Sequence, residues 1–98
     1  DTSITDIEND TFSGVSDLYK LFLDSNRLTR VKQTWFTGLE SLLALVLSNN
    51  NIKDIEPGSF EHLSSLHMLD LDNNLLQVVD SAWLFGLEGS LIMNLSSN

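Results

Sequence analysis

With 98 residues the chain is long enough for one domain with a modest core. It is 42% hydrophobic and 19% charged, as globular domains are, and it holds no run of ~18 apolar residues that could span a bilayer. Fourteen acids against five bases give a net charge of −9, which argues against a nucleic-acid partner, since that affinity comes largely from lysine and arginine on phosphate.

The charge is unevenly placed. Residues 1–19 hold five acids and no base, residues 20–53 five bases and two acids, and residues 54–98 seven acids and no base. Such a weakly basic band between acidic ends either orients a charged partner or is solvated surface.

In chain order, residues 1–17 keep apolar slots at Ile4, Ile7, Phe12 and Val15. The next stretch brings Leu18, Leu21, Leu23 and Asn26, and that set then recurs every 24 residues. It returns as Leu42, Leu45, Leu47 and Asn50, and again as Leu66, Leu69, Leu71 and Asn74. Ser90, Met93, Leu95 and Asn98 fill the same slots at the end. Further slots agree: Ile4, Leu28, Ile52 and Leu76; Ile7, Val31, Ile55 and Val79; Phe12, Phe36 and Phe60; Val15, Leu39, Leu63 and Leu87.

A fixed period without insertion or deletion means stacked supersecondary units, here a leucine-rich repeat array. Whole repeats occupy 18–41, 42–65 and 66–89, with a partial repeat at 1–17 and another at 90–98. The expected fold is an α/β repeat solenoid, a curved right-handed array with a parallel concave sheet and an irregular or 3₁₀ convex side. There is no initiator methionine, no signal-peptide pattern and no cysteine-bonded cap, so the expectation is an internal fragment of a longer protein.

The alternation at Leu21-Phe22-Leu23 and its equivalents predicts short strands, at Leu21–Leu23, Leu45–Leu47, Leu69–Leu71 and Met93–Leu95. After each strand the chain bends inward, where an asparagine amide can both accept from and donate to unpaired backbone. Asn26, Asn50, Asn74 and Asn98 should therefore form a ladder, although Thr2 replaces the asparagine expected one repeat earlier. From each asparagine the chain should return along the outer curve in turns, 3₁₀ or short helical pieces, around a spine of Phe12, Phe36 and Phe60. Trp35 and Trp83 share one outer slot, their rings expected over that spine with the indole N–H at the surface; a convex binding role is the other reading. At 84–91 the pattern departs, with Leu84 before Phe85, Ser90 before Leu91, and Gly86 and Gly89 close by.

Residues between the inward leucines should face the concave side, where repeat arrays usually bind. The rows are Tyr19, Leu43, His67 and Leu91; Lys20, Ala44, Met68 and Ile92; and Phe22, Val46, Asp70 and Asn94. Folding does not require these positions to be apolar, yet most are, which marks an interface. The alternative is that some, Leu91 above all, substitute for a neighbouring core slot. The candidate ligand-binding set is Tyr19, Lys20, Phe22, Leu43, Val46, His67, Met68, Asp70, Leu91 and Ile92.

Asp24, Asp70, Asp72 and His67 invite a metal reading, but a flat sheet does not converge six or more oxygens on a hard cation, and a solvated acidic face fits better. With no cysteine and with His62 and His67 at unrelated slots, no nucleophilic arrangement stands out, so no catalytic residue, metal or cofactor is expected. Two sequons, Asn9-Asp10-Thr11 and Asn94-Leu95-Ser96, make Asn9 and Asn94 glycosylation candidates.

The pattern LxxLxLxxNxIxxIxxxxFxxLxx, as in Leu42 to Ser65, resembles the 24-residue typical class of extracellular leucine-rich repeats. Toll-like receptor ectodomains, variable lymphocyte receptors and leucine-rich immunoglobulin-like proteins belong to it. The proline common in lymphocyte receptors after the second apolar slot is replaced here by Lys32, Glu56 and Asp80. The resemblance implies a non-enzymatic, extracellular, receptor-type chain in innate immunity that binds a protein, microbial or glycan ligand and is not membrane-inserted in this segment. A structural spacer and an intracellular scaffold are the alternatives. Uncapped ends exposing Ile4, Ile7, Phe12 and Val15 on one side and Met93 and Leu95 on the other make self-association a further expectation.

Overall fold

The computed structural model describes residues 4–8, 11–77, 81–84, 87 and 92–98. The expectations for Thr2, Asn9, Val79, Asp80, Phe85, Ser90 and Leu91 lie outside these.

Four strands, β1 (Lys20–Phe22), β3 (Ala44–Val46), β5 (Met68–Asp70) and β6 (Ile92–Asn94), form one parallel sheet in the order β1-β3-β5-β6. Each strand starts one residue before the expected span. The reason is in the hydrogen bonds: the amides of Leu43 and Ala44 both bond to the Tyr19 carbonyl, at 2.7 and 3.2 Å, so pairing begins ahead of the first inward leucine. Pairing also outlasts the strands. Leu23 N–H donates to the Val46 carbonyl at 2.8 Å, and Ser25 N–H to the Ser48 carbonyl at 3.0 Å. Period-2 alternation then turns Leu21, Leu45, Leu69 and Met93 inward and their neighbours outward.

The outer return holds more regular structure than expected. β2 (Arg30–Val31) and β4 (Asp54–Ile55) pair in parallel as a second, smaller sheet. The β-branched Val31 and Ile55 point into the core while Arg30 and Asp54 stay in water, a half-buried pleat that suits such side chains. Beyond it the chain turns. At Phe36-Thr37-Gly38-Leu39 the Leu39 N–H reaches the Phe36 carbonyl at 3.3 Å, and Gly38 supplies the required positive φ of 92°. In the third repeat the return contains a 3₁₀ turn, Ser81–Leu84.

The core lies between the two sheets and the turns. Leu28, Leu42, Leu45, Leu47, Phe36 and Phe60 are inaccessible to solvent, and Phe36 and Phe60 stack with centroids 6.1 Å apart. Trp35 packs edge-on against Phe36 at 5.9 Å. Its indole N–H is not at the surface: the ring is buried, and Nε1 has no hydrogen-bond partner among the described residues. Ile7 is likewise buried rather than bare, packed into the same core. Ile4 and Val15 are exposed, while Phe12, Met93 and Leu95 are half-buried.

The asparagine ladder is complete at its two interior rungs. Asn50 Oδ1 accepts from Leu28 N–H at 3.0 Å, and Nδ2 faces the carbonyls of Leu23, Leu47 and Ser48 at 3.0, 3.0 and 3.2 Å. Asn74 repeats the set with Ile52 N–H and the carbonyls of Leu47, Leu71 and Asp72. Asn98 makes the same four contacts, to Leu76 N–H and the carbonyls of Leu71, Leu95 and Ser96, although it is exposed. The residue before each rung is left-handed: Ser25, Asn49, Asn73 and Ser97 have φ of 59°, 57°, 56° and 58°.

Asn50→Ala and Asn74→Ala each strand several buried backbone groups, and each unpaired group costs ~1–3 kcal/mol. Asn49→Ala and Asn73→Ala remove exposed side chains and leave only the left-handed penalty, about 1 kcal/mol. Urea titration should therefore rank the first pair well below the second; equal losses at all four positions contradict the ladder. Trp35→Phe loses volume but also removes an unpaired buried N–H. It should cost under about 1.5 kcal/mol, against ~3–5 kcal/mol for Phe36→Ala. Equal losses would show the indole nitrogen to be bonded.

Candidate functional site

Because the pairing is in register, like slots from successive repeats line up across the larger sheet. Lys20, Ala44, Met68 and Ile92 form one row, and Phe22, Val46, Asp70 and Asn94 a second. Tyr19, Leu43 and His67 form a third, their carbonyls accepting successive amides of the next strand. All three rows lie off the inward leucines: the adjacent pair Tyr19 and Lys20, with its equivalents, sits between the first two leucines of each whole repeat, and Phe22, with its equivalents, between the second and third.

The structure thus brings together nine of the ten candidate binding residues; Leu91 lies outside the described residues. Tyr19, Phe22, Leu43 and Ile92 are 61%, 62%, 42% and 68% exposed, a large area of apolar surface left in water. Lys20 and His67 are exposed, while Ala44, Val46, Met68 and Asp70 are half-buried between neighbouring strands. His67 Nδ1 lies 2.6 Å from the Ser65 carbonyl.

A fourth row extends this face. Asp24, Ser48, Asp72 and Ser96 follow the second row by two residues, and the carbonyls of Ser48, Asp72 and Ser96 take part in the extended pairing. Asp70 Oδ1 accepts from Asp72 N–H at 3.0 Å, folding the strand end over its own side chain. Asn94 repeats the device, accepting from Ser96 N–H at 3.2 Å. The Ser96 hydroxyl sits between Asn94 Oδ1 at 3.1 Å and the Asp72 carboxylate. The sequence presents Asp24, Asp70 and Asp72 as a solvated acidic face, and the row puts Asp24 and Asp72 beside the candidate set, to which they had not been assigned. Among the described residues no group of three or more histidine, aspartate or glutamate side chains gathers as metal ligands do.

Charges on the flank beside the smaller sheet are mutually paired. Arg30 lies 3.3 Å from Asp54 and 3.7 Å from Glu56, and Lys32 Nζ lies 3.1 Å from Asp6. The Lys32 hydrogen bond, helped by the Ile7 N–H, holds the Asp6 carboxyl below its ordinary range. Exposed pairs of this kind contribute little to stability. A groove of about 1080 Å³ lies on the outer side, lined by Lys53, Asp54, Pro57, Trp83 and the ladder residues Asn74 and Asn98. The amides of those two asparagines are committed to backbone.

The Leucine rich repeat family model matches residues 1–42 and 16–76. The chain belongs to the leucine-rich repeat family, and within it resembles Toll-like receptors. It is similar to TLR13 as seen in a complex with ssRNA13, with 33% identity and a TM-score of 0.88. It is also similar to Drosophila Toll as seen in the glycosylated Toll–Spatzle complex, with 26% identity and a TM-score of 0.83. Each match covers 95% of this chain but only 13% and 14% of those proteins. No curated protein matches the chain. The fold these matches define is a binding fold, and among the described residues no helix is long and apolar enough to cross a membrane.

Proposed function

We propose that this segment binds a protein ligand through its concave face, as part of a secreted or cell-surface receptor of immune recognition. The observation that carries the reading is the in-register apolar surface of Tyr19, Phe22, Leu43 and Ile92. Folding alone needs only the inward leucines, so leaving four large apolar side chains in water calls for a partner that covers them. Both similar structures are complexes, TLR13 with single-stranded RNA and Toll with Spatzle. For this chain a protein ligand fits better than RNA. The net charge is −9, and of five bases two, Arg30 and Lys32, are engaged by acids.

Phe22→Glu and Leu43→Glu should weaken binding of the natural ligand at least about tenfold, because a charge placed in a desolvated contact has no partner. Glu40→Ala and His62→Ala on the outer side should leave it within about twofold, a difference no larger than a weak surface contact. Circular dichroism and the melting temperature should be unchanged throughout. Equal binding by all four variants would instead favour a spacer, whose repeats set distance and curvature while other modules bind.

A further inference from the structure

Resting on the concave-face reading, the geometry points to a definite kind of occupant: an amphipathic α-helix lying across the strands, with its apolar face on the two central rows and a basic edge over the fourth. The face is not uniform along the strand direction. Its first edge carries Tyr19, Leu43, His67 and Lys20, aromatic, apolar and cationic. Its last edge carries Asp24, Asp70 and Asp72 among Ser48, Asn94 and Ser96, acidic and polar, with no lysine or arginine in the second or fourth row. Between the edges run Ala44, Met68 and Ile92, then Phe22 and Val46.

Dimensions choose the helix over an extended segment. From the Lys20 row to the Asp24 row is four residues along the strand, about 13 Å at ~3.3 Å per residue. A helix with its side chains is ~10–12 Å wide, so one helix spans both central rows and reaches the acidic row with a single edge. An extended chain presents only alternate side chains to the face, along a single line, so it covers one row and leaves the rest in water. Across the four strands the face measures about 14 Å, which a helix crosses in roughly ten residues at 1.5 Å each. Lysine or arginine on the edge above Asp24 and Asp72 meets opposite charge; an acidic edge in that place meets like charge. Lys20, on the far side, disfavours the reversed placement. The charge pattern thereby fixes which way the helix lies as well as that it binds.

The test uses a synthetic helix about eighteen residues long, enough to be helical in water, with leucines along one face and lysines along one flank. The comparators are a scramble of the same composition and a version with glutamate for every lysine, all read by fluorescence anisotropy at physiological salt. The lysine helix should bind at least about tenfold more tightly than either comparator, a difference of ~1.4 kcal/mol. Asp24→Asn with Asp72→Asn should weaken it about threefold to tenfold, as expected for two exposed charge pairs. Glu40→Gln with Glu61→Gln, the same change in net charge on the outer side, should leave it unchanged within about twofold. Equal binding of the scramble, or equal weakening by both double variants, overturns the proposal, because net charge alone then explains the affinity. If the lysine helix fails while Phe22→Glu still abolishes natural ligand binding, the helical occupant is wrong and the concave-face reading stands. If Phe22→Glu and Leu43→Glu change neither, the concave-face reading fails as well.

Discussion

The fold depends on one short side chain, the asparagine that ends each strand. At that point the chain leaves the sheet and turns into the core, so its peptide groups lose their strand partners while still buried. An unmade hydrogen bond there costs more than a made one gains, and water cannot enter to help. The carboxamide has both the donor and the acceptor needed, and its reach matches the gap. Asn50 illustrates the arrangement, holding its own repeat at the Leu47 carbonyl and the preceding one at the Leu23 carbonyl and Leu28 N–H. Each rung is therefore local glue and inter-repeat glue at once. That is why the spacing tolerates no insertion: a one-residue slip would move every amide off its carbonyls. The left-handed residue before each rung is part of the same device, since it swings the amide inward at Ser25, Asn49, Asn73 and Ser97 alike.

Much of this was legible in the sequence because the constraint is written at every turn of the array. Leucines at fixed spacing gave the parallel sheet and its inward face, and the asparagine slot gave the ladder. What was missed had weaker signatures. Two-residue strands such as Arg30–Val31 and Asp54–Ile55 are too short for a periodicity to show, although Ile7, Val31 and Ile55 were already aligned as β-branched residues. The early start of each strand depends on a backbone bond at Tyr19 that no side chain announces. The Trp35 nitrogen lies buried with no partner among the described residues, against the general expectation for an indole N–H. The outward rows follow from the inward leucines on either side of them, and the same alternation continues past Asp70 and Asn94 to Asp72 and Ser96.

The same in-register stacking that makes the core also makes the face. A parallel sheet without stagger converts a linear sequence into a grid, in which one substitution changes one square and nothing beneath it. The inward positions are bound by packing, whereas the outward ones are free to vary in size and charge. Such a scaffold separates stability from recognition, which explains how one repeat architecture serves proteins as different in their complexes as TLR13 and Toll.

The outer side obeys a second rhythm, twice as long as the first. In the slot before the phenylalanine spine stand Thr11, Trp35, Ser59 and Trp83, small and large in alternation. The two small residues do the same thing, each turning its hydroxyl onto the carbonyl three residues back, at Glu8 and Glu56. Ser59 is wholly buried in its slot, and the two tryptophans are buried in theirs. The genetic unit and the packing unit then differ. Gain or loss of a single repeat keeps the leucines in step but sets two indoles, or two hydroxyls, in successive slots. Gain or loss of a pair leaves both rhythms in phase.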